Sequence, residues 1–385
     1  MSNETFREEV RDWLRDNYPA PEGPDLNEED AQLWLNRLID KRWTAPGWPT
    51  AYGGGGLEND QHRILLQEMA EIGAGIPAGG MGMGLIGPTL LEFGTEEQKQ
   101  RHLTRIVRRE VRWCQGYSEP GAGSDLAGLS TRAEDNGDYF LINGQKTWTS
   151  GANLADWIFA LVRTNPEVPK HDGISFVLMD MHQPGITVRP IRLISGASPF
   201  CDTFFDDAIA QKEDLVGKLN QGWTVGKRLL QHERSGGLRV TAGGGGRSRR
   251  PTADPMGELA KKYVGEERGK ISDPAMRDMV LKHRMNQRSL QLTQARAREE
   301  NKSGRVPAET TSIFKLVGST LTRENADLQT RLMGSQGYGW QGDQFSEQER
   351  TATRSWLRSR AVTIYGGTNE VQMNIISKRV LGLPD

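Results

Sequence analysis

The residues best equipped for chemistry fall in eleven consecutive positions, Gln115-Gly116-Tyr117-Ser118-Glu119-Pro120-Gly121-Ala122-Gly123-Ser124-Asp125. Two serines, two carboxylates, three glycines and a proline share this stretch. Gly121 and Gly123 permit positive φ and close backbone approach to a ligand. Pro120 fixes the start of the turn. A loop of this type can aim N–H groups and hydroxyls at a polar, planar or phosphate-bearing ligand. Alone it reads more readily as a surface turn, because glycine-rich turns are common.

Composition narrows the function classes. Lys and Arg total 49 against 50 Asp and Glu, a net charge of -1. That balance argues against nucleic-acid binding and against a polybasic membrane surface. Two cysteines, Cys114 and Cys201, offer neither a disulfide framework nor a Cys-based zinc site, and no metal is expected. The N-terminus lacks a basic segment followed by an apolar run, so no signal peptide is expected. No apolar run reaches the ~20 residues of a membrane span. The expectation is a cytoplasmic protein. Its 385 residues suggest two or three packed units.

Three textures follow one another along the chain. Phe6, Val10, Trp13 and Leu14 recur at helical spacing, as do Leu35, Leu38 and Ile39. Trp43–Pro49 breaks the pattern as a loop whose two tryptophans read as core anchors. A helix over Asp60–Ile72 is expected, and Gly75–Gly87 reads as a loosely packed helix start. Thr95-Glu96-Glu97-Gln98 is a capping-box pattern and predicts a helix through Val107. From about Val111 the pattern predicts strands at Tyr139–Gly144, Trp157–Val162, Ile174–Met179, Ile186–Ile191 and Thr203–Phe205. Their close spacing predicts an antiparallel β unit. Beyond Gly222 helices return at Trp223–Arg234, Asp278–Glu300, Ile313–Leu332, Arg354–Val362 and Val371–Val380. The helix over Asp278–Glu300 is read as amphipathic, with Met279, Leu281, Met285, Leu290 and Leu292 as its apolar residues. Such helices pack as a bundle. The fold class is α+β, mostly α: an N-terminal helical domain (1–111), a central antiparallel β domain (112–220) and a C-terminal four-helix bundle (221–385).

Gly116–Asp125, Asn143–Ser150 (NGQKTWTS), Ala155-Asp156-Trp157, Glu233-Arg234, Tyr365–Gln372 (YGGTNEVQ) and Arg379–Leu383 occur in one order over nearly the whole chain. In this the sequence resembles the acyl-CoA dehydrogenase family. The resemblance implies FAD as cofactor and an acyl-CoA substrate. It implies α,β-dehydrogenation to an enoyl-CoA, with an electron-transfer flavoprotein as electron acceptor. A homotetramer, or a heteromer with a paralogous subunit, is the implied assembly. Such chemistry needs a carboxylate base with a raised pKa and donors that polarise the thioester carbonyl. The resemblance puts flavin contacts at Tyr117, Ser118, Gly123, Ser124, Trp148 and Ser150, and substrate contact at Ser124. It puts further cofactor contacts at Arg331, Gly367, Thr368 and Glu370, where a helix start offers N–H groups to phosphate. Without the family, Trp148 reads as a core residue and Thr368 as a plain N-cap.

The sequence departs from the family pattern in three places. Many members carry the catalytic Glu directly after the tyrosine of the C-terminal motif, where this chain has Gly366. Some place it instead before an arginine on the first bundle helix. Glu233 occupies that position and is the expected base, with Arg234 as its charge partner or a substrate contact. His232 reads as a helix-surface residue. The Arg-x-x-Phe-Gly pattern is absent from Glu258–Asp278, and Arg331–Gly337 matches its counterpart only in part. Two other functions compete: a flavin oxidase or monooxygenase of the same superfamily, and a non-catalytic subunit of a heteromeric dehydrogenase.

Overall fold

The computed structural model describes residues 2–19, 26–77, 79–236, 255–301 and 308–384, without the side chains of 233–236, 298, 301 and 308. The chain forms two compact units, Met1–Ile191 with Pro199–Arg250, and Arg192–Ser198 with Pro251–Asp385.

The first unit opens with helices α1 (Asn3–Asn17), α2 (Glu28–Asp40), α3 (Asn59–Glu71), α4 (Gly87–Phe93) and α5 (Glu96–Val107). Phe6, Val10 and Leu14 of α1 share a buried cluster with Trp34 and Leu38 of α2 and Ile64, Leu65 and Met69 of α3. Glu68 is buried in α3, where Arg7 and Arg11 neutralise it. A carboxylate would otherwise be costly there. Trp43 is buried in the same cluster and Trp48 packs on a second one, so both are core anchors as expected. The capping box forms: Thr95 Oγ1 accepts from the Gln98 amide at 3.2 Å, and the Gln98 side chain accepts from the Thr95 amide at 3.0 Å. Gly82–Ile86 forms one π-helical turn ahead of α4.

Seven strands follow: β1 (Trp113–Gly116), β2 (Arg132–Asp135), β3 (Tyr139–Ser150), β4 (Trp157–Arg163), β5 (Ile174–Asp180), β6 (Ile186–Ile191) and β7 (Phe200–Gln211). β2–β3, β3–β7, β6–β7 and β4–β5 are antiparallel. The expectation of an antiparallel sheet needs correction in one part, because β1 and β2 run parallel to β4 and the sheet is mixed. The hairpin of β2 and β3 intervenes in sequence between β1 and β4, which gives the chain length to return in the same direction. β4 and β5 are buried on both faces and therefore read as unbroken apolar runs.

A second correction concerns Gly144. It does not end a strand. β3 continues through it with a register shift against β7. The glycine is needed for close approach, since a Cβ there would lie 2.8 Å from Thr131 Cα.

Helix α6 (Gly222–Gly236) completes this unit. Its first residue rests on β5, where a Cβ at Gly222 would lie 2.3 Å from the Ser175 carbonyl carbon. Val225 and Leu229 then enter the cluster formed by Tyr117, Phe159, Leu161 and Phe176.

The second unit is helical. α7 (Pro255–Val264) leads through a short hairpin of β8 (Glu266–Glu267) and β9 (Lys270–Ile271) into α8 (Pro274–Asn301), α9 (Thr311–Met333), α10 (Glu347–Ser359) and α11 (Asn369–Ile375). Met256, Leu259, Val280, Leu328, Leu332 and Ala352 bring α7, α8, α9 and α10 around one core, the expected helical bundle. The amphipathic reading of α8 needs a third correction. Met279 packs on the bundle core beside buried Val280 and Leu290 is half-buried, while Leu281, Met285 and Leu292 are exposed on another face.

Candidate active site

The loop Gly116–Asp125 follows β1 directly and closes on itself. Glu119 and Ala122 exchange backbone hydrogen bonds, each 3.0 Å long. Neither Gly121 nor Gly123 has positive φ, so that part of the reason for glycine fails. A Cβ at either position would meet nothing within 4 Å, so the backbone there borders open space. Gly123 and Ser124 are exposed at the loop tip. Asp125 is held there by Lys170, whose Nζ is 2.8 Å from both carboxylate oxygens. Tyr117 points the other way, its ring packed edge-on to Phe159 and Phe176 in the core.

The loop is tied to β3 by residues whose importance sequence reasoning missed. Lys146 Nζ donates to Glu119 Oε1 at 2.6 Å and to the Tyr117 carbonyl at 3.2 Å. The next residue, Thr147, donates its amide to the Ser118 carbonyl at 2.8 Å. Glu119 also accepts from the Ser130 amide and hydroxyl and from the Thr131 amide. Burial alone would raise the Glu119 pKa. The Lys146 charge and these hydrogen bonds outweigh it and hold the group down at about 2. Burial draws the Lys146 ammonium below an ordinary lysine, to about 8, against the pull of Glu119. One sequence signal could have found the pair. Lys146 continues the inward alternation of Phe140 and Ile142, and a lysine at an inward position needs a carboxylate.

Trp148 departs from that alternation. By period two it should point inward, as a core residue. Instead the β3–β7 register shifts between Lys146 and Thr149, Trp148 adopts φ +60°, and its indole is 54% exposed. Thr149 takes the inward position, and its buried hydroxyl has no hydrogen-bond partner among the described residues. A bulky residue in the left-handed region is an outlier. Such strain costs about 1–3 kcal/mol and clusters where ligands bind. Phe200 supports the ring edge-on, with centroids 5.9 Å apart. Ser150 lies two residues further, half-buried at the end of β3. Tyr117, Ser118, Trp148 and Ser150 are thus brought onto one loop and one bulged strand.

Position 233 lies in the last turns of α6, and the side chains of Glu233 and Arg234 are outside the described residues. His232, one residue earlier, is half-buried, with Nε2 3.7 Å from Glu92. Burial and the Arg228 charge lower its pKa.

The second unit holds the other expected residues. Gly366 and Gly367 have φ of +67° and +89°, and a Cβ on Gly367 would lie 2.4 Å from Gln372 Nε2. Thr368 then caps α11, its hydroxyl accepting from the Val371 amide at 3.2 Å. Glu370 lies in the first turn. Gln372 is buried, and its Oε1 has no partner among the described residues. Arg331 lies in the last turn of α9, on the α8 side, with Nη1 3.6 Å from Met279 Sδ. Among the described residues no helix is long and apolar enough to cross a membrane.

Comparison with known proteins agrees with this architecture. Family models for the acyl-CoA dehydrogenase N-terminal, middle and C-terminal domains match residues 2–110, 114–208 and 220–381. The chain is 37% identical to acyl-CoA dehydrogenase IpdE1 of Mycobacterium tuberculosis, over 99% of this chain and 98% of that protein. It is 35% identical to acyl-CoA dehydrogenase FadE34 of the same organism, over 93% of this chain and 47% of that protein. Among solved structures, a Tcur3481-Tcur3483 steroid ACAD matches with a TM-score of 0.76 at 28% identity, covering 99% of this chain and 97% of that one. The ChsE4-ChsE5 complex from Mycobacterium tuberculosis matches with a TM-score of 0.71 at 28% identity, covering 100% and 98%. The chain belongs to the acyl-CoA dehydrogenase family, whose members are flavoprotein oxidoreductases.

Proposed function

We propose that this protein is an FAD-dependent dehydrogenase of acyl-CoA thioesters with ring-bearing, steroid-derived or similarly bulky acyl groups. The observation that carries the reading is the bulge at Trp148. It holds an indole out of the strand at a conformational cost, beside the loop that carries Ser118. The residues suit a flavin: an aromatic face, hydroxyls at Ser118 and Ser150, and glycines at 121 and 123 that leave the backbone uncovered. Tyr117 contributes its backbone, while Gly123 and Ser124 form the loop tip. When bound, FAD supplies the acceptor for the β-hydride of the acyl group.

The chain's own residues supply the rest. Glu233 removes the α-proton, because position 366 is a glycine and holds no proton acceptor. Arg234 stands beside it as charge partner or substrate contact, and Ser124 is a substrate contact. Gly367, Thr368 and Glu370 hold the cofactor's phosphate and ribityl region at a capped helix start. Arg331 meets a phosphate. An electron-transfer flavoprotein is the proposed acceptor of the electron pair. The proposed domains are 1–111, 112–220 and 221–385, a division supported by where the three family models fall.

A heteromer with a paralogous subunit is the proposed assembly. Its supports are the paired chains named in both structural relatives, the hairpin β8–β9 in the region without the Arg-x-x-Phe-Gly pattern, and the exposed stripe Leu281, Met285 and Leu292.

The test is a panel of CoA thioesters assayed with a dye acceptor on protein of measured flavin content, alone and with a co-expressed paralogue. Ring-bearing thioesters should turn over, and a sharp preference for straight medium chains would overturn the substrate class. Glu233→Gln should lower turnover roughly 10²–10⁴-fold at unchanged flavin content. Full turnover by that variant would remove Glu233 as the base.

A further inference from the structure

A lysine buried on a sheet is unfavourable unless its ammonium is paired and its donors are used. Lys146 is 0% exposed and uses its donors across to another segment. We propose that the Glu119–Lys146 ion pair is a positioning clamp, which holds the loop in step with the β3 bulge so that Ser118 and Trp148 present to one ligand. This rests on the flavin reading above.

The geometry is stepwise. Residues 146 and 147 bond the carbonyls of residues 117 and 118 in the same order, once through the ammonium and once through an amide. The bulge begins at the following residue, so the clamp sits directly against the strained position. Glu119 extends the tie to a third segment through Ser130 and Thr131. Thr131 in turn accepts the Arg163 amide of β4 at 2.7 Å. Loop, bulge and sheet therefore share one carboxylate. If bulk stability were the only requirement, an apolar pair of similar volume would serve as well or better. Neither residue touches the reacting atoms in this reading, so both act through Ser118 and Trp148.

The test uses the full-length protein with Lys146→Met and with the double variant Glu119→Gln/Lys146→Met. The double variant leaves no lone buried charge and keeps one acceptor oxygen, for Ser130 or for Thr131, so it remains informative if the single variant fails to fold. Amide exchange at Thr147 should accelerate roughly 10–100-fold, with β4 amides unchanged, and FAD binding should weaken by about tenfold or more. Turnover should fall by a similar factor while KM for the thioester stays within about threefold. Unchanged Thr147 exchange in the folded double variant would overturn the clamp. Faster exchange with unaltered FAD affinity would also overturn its role toward the ligand. Wild-type protein that takes up no FAD would instead overturn the flavin reading, and the exchange measurement would still decide whether the clamp exists.

Discussion

The loop at Glu119 and the turn at Gly367 each fix a stretch of backbone, one in each unit, by opposite means. The first is held by charge. A buried carboxylate gathers an ammonium, two amides and a hydroxyl. The second is held by the permissiveness of its residues: two glycines of positive φ and a capping threonine. A charge-held loop can be rigid yet tolerant at its tip, where Gly121 and Gly123 have nothing against them. A glycine-held turn is intolerant at its own backbone and needs no buried charge. The two should respond differently to substitution and to pH.

Removing one member of the ion pair should have the largest effect on stability. Lys146→Met leaves a buried carboxylate unmatched and should cost about 3–5 kcal/mol, read from urea denaturation. A loss below about 1 kcal/mol would show that charge does not hold the loop. Acid comes next. The folded pKa of Glu119 lies below its unfolded value, at about 2 against 4.5. Its contribution is therefore present above the unfolded pKa and is lost as pH falls from there through the folded pKa. The wild-type protein should lose up to ~3 kcal/mol from this group across that range. Glu119→Gln should show a correspondingly shallower acid limb, and parallel limbs would contradict the pairing. The glycine-held turn should be indifferent to that acidification and sensitive to a methyl group. Gly367→Ala should cost about 1–3 kcal/mol in thermal unfolding. The matched Gly121→Ala should stay within about 0.5 kcal/mol. Equal costs at the two glycines would erase the distinction.

Much of this was legible from the sequence because local signals and tertiary packing agree. The capping box at Thr95, the apolar runs of β4 and β5, and the helical spacing of Phe6, Val10 and Leu14 each form as read. Failures came where one element overrode the local period. Gly144 reads as the end of a strand until Thr131 lies across it. Trp148 reads as core until the bulge turns it outward and hands its inward position to Thr149. Leu281 and Met285 read with Met279 as the apolar residues of α8, yet Met279 and Val280 pack on the bundle core while Leu281 and Met285 are exposed. A helix can carry two apolar stripes, and periodicity alone does not say which one the bundle takes. The parallel pairing of β1 with β4 was hidden for another reason. Strand direction depends on the path between strands, which composition does not encode.

The contact of Gly222 with β5 gives α6 the mechanics of a lever. Its first residue lies so close to the Ser175 backbone that even a methyl group has no room. Position 233 is eleven residues further on, about 16 Å along the axis at ~1.5 Å per residue. A tilt of about 4° at the fixed end would move the helix backbone there by roughly 1 Å, enough to misalign the proton transfer proposed for Glu233. Bulk added at Gly222 should therefore register as lost turnover over ten residues away, before it registers as a loss of fold.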